Sequence, residues 1–213
     1  MTINDIHRKI EMEIAGVILP GELNIPLQAK AIVLFAHGSG SSRLSPRNNY
    51  VAGILQKAGL GTLLFDLLTS KEDLNYENRF DINLLTERLI KVTQWIQEYE
   101  ETKGLKIGYF GSSTGAASAL CAASFFGDQI LAVVSRGGRV DLASQDLTKV
   151  KSPVLLIVGE LDKAVIELNR QVSNELTSRH KLVVVPGASH LFQETGKLAE
   201  VSELSAAWFN KWL

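Results

Sequence analysis

Six apolar runs of strand length recur along the chain and constrain its fold more than any other feature. They cover residues 31–36, 62–65, 105–110, 130–134, 154–158 and 182–185. They are rich in Val, Ile and Leu, show no polar alternation, and give way to Gly, Ser or Asp. A strand with one face in water alternates; an unbroken run is the pattern of a strand buried on both faces, as in the middle of a parallel sheet. The segments between the runs step with helical spacing. From Ile82 the apolar positions Leu85, Leu89, Val92, Ile96 and Tyr99 recur every three or four residues, which turns Arg88, Lys91 and Glu98 to water. Leu198, Val201, Leu204, Trp208 and Trp212 repeat that spacing at the C-terminus. Strand and helix in alternation predict right-handed βαβ crossovers and a mostly parallel α/β sheet with helices on both faces. The opening reads differently. Residues 10–19 and 22–26 flank Pro20-Gly21, a turn dipeptide, and predict an antiparallel hairpin at the sheet edge. The sum is about eight strands, with ligands expected at their carboxyl ends.

A chain of 213 residues predicts one domain over residues 1–213 and buries enough surface for a core without staples. The net charge of -1 provides no basic footprint for nucleic acid. Cys121 is the sole cysteine, so an intrachain disulfide and a Cys zinc cluster are both excluded. The opening residues lack the apolar stretch of a signal peptide, and no run of about 18 apolar residues occurs. The expectation is a cytoplasmic protein, monomer or homodimer, without a membrane or nucleic-acid partner.

The carboxyl ends of the runs carry the reactive residues. After residues 105–110 comes Gly111-Ser112-Ser113-Thr114-Gly115, then a helical segment over 116–125. A G-x-S-x-G between strand and helix presents its serine on a sharp turn, and side chains at the glycine positions would clash there. A nucleophile needs a base, and the base an orienting acid. Of the four histidines, only His190 lies in a loop after the last sheet strand and before the final helix. Gly159-Glu160-Leu161-Asp162 follows another run, and Asp162 is the expected acid, with Glu160 as its alternative and helix capping as the other role open to Asp162. An oxyanion would find one donor in the Thr114 N–H and a second in the Ser39 N–H of His37-Gly38-Ser39-Gly40, where Gly38 lets the backbone approach the substrate. His37 is expected to brace that loop.

The order Ser113, Asp162, His190 is the chain order of α/β-hydrolases, and the chain resembles their dienelactone hydrolase-like group. The resemblance rests on HGSGSSRLSPRN, GSSTGAASAL, VVSRGGRVDLA, VLLIVGELD and VPGASH, and it runs over nearly the whole chain. SRLSPRN and SRGGRVDLA resemble a bacterial subgroup sometimes joined to a phosphoribosyltransferase-like domain. Dienelactone hydrolases proper use a cysteine nucleophile; the matching position here is Ser113. The resemblance implies an α/β-hydrolase fold and hydrolysis of a small-molecule carboxylic ester, thioester or lactone. An acyltransferase or perhydrolase would use the same triad, and a non-catalytic scaffold or binding protein is the rival of another class. About 18 residues separate Val134 from Pro153, too few for a cap domain. No HExxH or GxxxxGK[ST] occurs, so neither metal nor cofactor is expected. Arg136, with Arg139, Arg43 and Arg47, is placed to clamp a substrate carboxylate or to pair internally with Asp141, Asp66 or the acid.

Overall fold

The computed structural model describes residues 5–143, 145 and 147–213. The apolar run at 31–36 is strand β3 (Ala31–Ala36), and its residues divide strictly between two cores. Ile32, Leu34 and Ala36 pack on one face with Leu89, Val92 and Leu120. Ala31, Val33 and Phe35 pack on the other with Val51, Leu55 and Phe209. Each large side chain buried this way is worth about 1.5–3 kcal/mol relative to exposure, so both faces select against polar residues.

The remaining strands are β1 (Ile6–Ile14), β2 (Val17–Ile25), β4 (Gly61–Phe65), β5 (Lys106–Ser112), β6 (Ile130–Arg136), β7 (Val154–Gly159) and β8 (His180–Val185). They form one sheet in the order β1-β2-β4-β3-β5-β6-β7-β8. Only β1–β2 and β2–β4 pair antiparallel. The helices are α1 (Pro46–Lys57), α2 (Ile82–Glu98), α3 (Thr114–Phe126), α4 (Lys163–Glu175) and α5 (Lys197–Trp212). Cores shared with the sheet place α2 and α3 on one face and α1 and α5 on the other. Two helix starts follow from local chemistry. Ser45 accepts the Asn48 N–H with Pro46 as the first helical residue, and Asp81 accepts the Leu84 N–H at 3.0 Å. The chain winds from β3 outward to β4, then crosses back to β5, so the carboxyl ends of β3 and β5 flank the point where the winding reverses. Between β6 and β7 the described residues form two short 3-10 turns and no cap. No helix among the described residues is long and apolar enough to cross a membrane.

Three sequence readings are corrected. The hairpin turn is Ala15-Gly16, not Pro20-Gly21; both turn residues have positive φ, 49° and 80°, as a two-residue hairpin loop requires. Pro20 lies within β2 opposite Glu11. Counted from the closing pair Ile14–Val17, that position is not hydrogen-bonded to β1, so a proline without an N–H fits there. His7 belongs to β1 instead of preceding it, and its ring meets the Asn24 side chain across the pair. Arg88 does not face water. It is buried under the hairpin, where Nη1 donates to the Ile14 carbonyl at 3.2 Å and Nη2 to Glu72 at 2.6 Å. Helical periodicity reports which stripe is apolar; a long cation flanking the stripe can still be covered by a distant element.

Candidate active site

Strand β5 ends at Ser112, and α3 begins at Thr114. Ser113 bridges them with φ 51° and ψ -122°, a conformation costly for a residue with a Cβ. Its surroundings hold it there. The Ser113 N–H donates to the Arg136 carbonyl at 3.3 Å, and its own carbonyl accepts from Ala116 at 3.1 Å and Arg139 at 3.0 Å. The flanking glycines are required by close approach. A Cβ on Gly111 would stand 2.4 Å from the Ala116 Cα, and one on Gly115 would stand 2.1 Å from the Ala36 carbonyl oxygen. Gly38 meets the serine itself, since a Cβ there would lie 2.9 Å from the Ser113 Cβ.

Asp162 and His190 come together. Asp162 stands at the N-terminus of α4 and accepts the Ile166 N–H with its backbone carbonyl at 3.0 Å, but its side chain caps nothing. The carboxylate instead accepts from His190 Nδ1 at 2.6 Å. With Nδ1 donating, Nε2 carries the lone pair, the tautomer a general base needs. The ring rests against Gly137, where an added Cβ would approach both Cε1 and Nδ1 to 3.4 Å. Residues 136–139 therefore touch the backbone of Ser113 on one side and the His190 ring on the other.

Two carboxylates that brace the histidine loop were not legible as such. Glu160 accepts the Gly187 N–H at 2.7 Å, and Glu194 accepts the Ser189 N–H at 3.1 Å. The Ser189 hydrogen bonds hold the Glu194 carboxyl below its ordinary pKa. His37 is buried between loops: Nδ1 donates to the Gly38 carbonyl, and Nε2 accepts the Leu67 N–H, both at 3.0 Å. Burial lowers its pKa, so it stays neutral. Ser39 and Thr114 are neighbours, but the Ser39 N–H donates to Thr114 Oγ1 at 3.0 Å. That side-chain role for Thr114 had no signal in the sequence. Arg136 is the last residue of β6 and 7% exposed, with its guanidinium 5.9 Å from the Phe110 ring centroid. It makes no ion pair among the described residues, whereas Arg139 pairs with Asp141 and Arg43 with Asp66. No three His, Cys, Asp or Glu side chains among the described residues gather to hold a metal ion.

An eight-stranded sheet wound in this order, with a serine on a strained turn between its fifth strand and the next helix, is the α/β-hydrolase arrangement, and the chain is an enzyme of that class. A model of the dienelactone hydrolase family matches residues 26–212, and the chain belongs to that family. It is 49% identical to a dienelactone hydrolase from Anabaena variabilis whose crystal structure superposes with a TM-score of 0.96, covering 99% of this chain and 100% of that one. Est1E from Butyrivibrio proteoclasticus, solved with ferulic acid bound, shares the fold at 19% identity and a TM-score of 0.83, over 95% of this chain and 98% of its own. A Mycobacterium tuberculosis protein named "Putative phosphoribosyl transferase" is 50% identical over 201 residues, or 94% of this chain. The chain spans 45% of that relative's length.

Proposed function

We propose that the chain is a serine hydrolase that cleaves a carboxylic ester, or a thioester or lactone, through an acyl-enzyme. The observation that carries this reading is the Asp162 carboxylate, which stands where a helix cap would be and turns to His190 Nδ1 at 2.6 Å. In the proposed cycle Ser113 Oγ attacks the substrate carbonyl while His190 Nε2 takes the hydroxyl proton. Asp162 holds the imidazole orientation and stabilises the imidazolium. The C–O bond to the leaving group then breaks, and the leaving oxygen receives the proton from His190. Water, deprotonated by the same nitrogen, attacks the acyl-enzyme and releases the acid and free Ser113. The oxyanion is held by the Thr114 N–H at the start of α3 and by the Ser39 N–H, which the free protein keeps satisfied on Thr114 Oγ1. Relatives described as a dienelactone hydrolase and as an enzyme binding ferulic acid support ester chemistry. The transferase name belongs to a chain more than twice the length of the matched segment.

A fluorophosphonate probe tests the assignment. One covalent label is expected, mapped to Ser113. A label on Ser112 or Ser39, or ester hydrolysis that persists without any label, overturns it. Product analysis with a competing alcohol or peroxide separates hydrolysis from acyl transfer and perhydrolysis.

A further inference from the structure

The Gly38–Ser39 peptide lies against the nucleophile, and both of its polar ends are held. A Cβ on Gly38 would stand 2.9 Å from the Ser113 Cβ and 3.1 Å from the Ser112 carbonyl oxygen, so this backbone meets the strained turn directly. The Gly38 carbonyl accepts from His37 Nδ1 at 3.0 Å and from the Ser41 N–H at 3.2 Å. A trans peptide is planar, with its C=O and N–H pointing in opposite directions. The N–H of this peptide belongs to Ser39, and what meets it on the other side is Thr114 Oγ1 at 3.0 Å. Thr114 reaches it because the start of α3 is pressed onto the end of β3: a Cβ on Gly115 would stand 2.5 Å from the His37 carbonyl oxygen.

The loop by itself does not fix that orientation. Ser39 is exposed and stands between two glycines, of which Gly40 has φ 64°, so an unheld peptide would turn its N–H to water. Thr114 is 2% exposed, and its hydroxyl oxygen is the acceptor on that N–H. We propose that the Thr114 side chain is a positioning residue for ester cleavage: its hydroxyl holds the Ser39 N–H in the direction the oxyanion needs and cedes it when the charge forms. This rests on the serine-hydrolase reading above. Thr114 then supplies one oxyanion donor from its backbone and aims the other with its side chain. The exchange favours the transition state. A hydrogen bond to an anionic oxygen is roughly twice as strong as one to a neutral hydroxyl, so the Ser39 N–H passes to the oxyanion without reorganising the loop. The uncharged carbonyl of the bound substrate gains much less, so the effect of the hydroxyl falls on kcat and not on KM.

Thr114→Val tests this, because it removes the hydroxyl, keeps the branched shape and leaves the backbone N–H in place. It is expected to lower kcat about 10- to 100-fold, less than outright deletion of a donor, with KM within about twofold. Thr114→Ser retains the hydroxyl and should bring kcat back to within about threefold of the wild type. Phenylboronic acid forms a tetrahedral adduct on a serine hydroxyl and places an oxygen where the oxyanion would stand. Its affinity should fall in Thr114→Val by the same factor as kcat. A measurement on the wild type needs no variant to fold: the Ser39 amide proton should move downfield in the NMR spectrum when the boronate is bound, as its acceptor changes from a hydroxyl to an anionic adduct. An unchanged or raised kcat in Thr114→Val, a loss that Thr114→Ser shares, a loss carried by KM, or a Ser39 amide that does not move each overturns the positioning role. Fluorophosphonate labelling of Ser113 that persists beside any of these outcomes shows that the positioning role alone has failed. A wild type that neither takes the label nor hydrolyses esters defeats the hydrolase reading, and the positioning role with it.

Discussion

Asp162 shows how one side chain can serve either of two purposes and how geometry separates them. An aspartate ahead of a helix commonly accepts a first-turn N–H, worth about 1 kcal/mol. Here the carboxylate is bonded to His190 and caps nothing, so its loss should register in kinetics and not in α4. Asp162→Asn is expected to lower kcat by roughly 10³–10⁴, and Ser113→Ala or His190→Ala by roughly 10⁴ or more. The Ser113 and His190 changes combined should cost little beyond either alone, because such residues act as a unit. Additive losses would show that they do not. His37 allows a test by pH. Its Nε2 accepts the Leu67 N–H and burial lowers its pKa, so protonation opposes the fold. The unfolded chain takes up that proton first, near pH 6.5. The contribution of His37 is therefore complete above about 6.5 and is lost as pH falls toward the lowered folded value. Denaturant unfolding between pH 8 and pH 5 should show this loss in the wild type and a flatter dependence in His37→Gln. Equal slopes would count against a neutral, buried His37.

The β1–β2 hairpin illustrates why dipeptide signals mislead. Pro20-Gly21 looks like a turn, yet a proline fits inside a strand wherever its missing N–H would not have joined the ladder. The actual turn, Ala15-Gly16, uses two residues of positive φ, a conformation that favours Gly or Asn over Ala. Ala15→Asn should therefore stabilise the protein by about 0.5–1 kcal/mol, and Gly16→Ala should destabilise it by about 1 kcal/mol or more. For a chain of this length each kcal/mol is worth about 2–4 °C in Tm. Opposite signs in the two melting curves are the expected result; a neutral Gly16→Ala would reject the turn assignment. The helices were read more accurately than their flanks. The apolar stripe of α2 is buried as its spacing required, but the chain leaves the helix at Tyr99, whose ring stacks on Trp95 at 4.2 Å.

Order across the sheet sets how the molecule opens. β3, β5 and β6 have paired neighbours on both sides and side chains buried on both faces, whereas β1 and β8 are the edges. Amide hydrogen exchange should be slowest in β3, β5 and β6 and markedly faster in β1 and β8. Equal protection across all eight strands would contradict this. The strands, their parallel sense and the class of fold were legible in the chain because burial on both faces leaves a continuous apolar run, a signal written in neighbouring residues. The order of Ser113, Asp162 and His190 was legible for a related reason: each stands just beyond a strand end, and a wound sheet gathers its strand ends on one side. What could not be read were the contacts between residues far apart in sequence. The Ser39 N–H on Thr114 Oγ1 spans 75 positions, and the Ile14 carbonyl that holds Arg88 lies 74 positions away. The lack of a carboxylate partner for Arg47 and Arg136 among the described residues is of the same kind, whereas Arg139 pairs with Asp141 only two positions away. Periodicity marks which side of an element is dry, but only the packed molecule shows which distant group meets a buried charge.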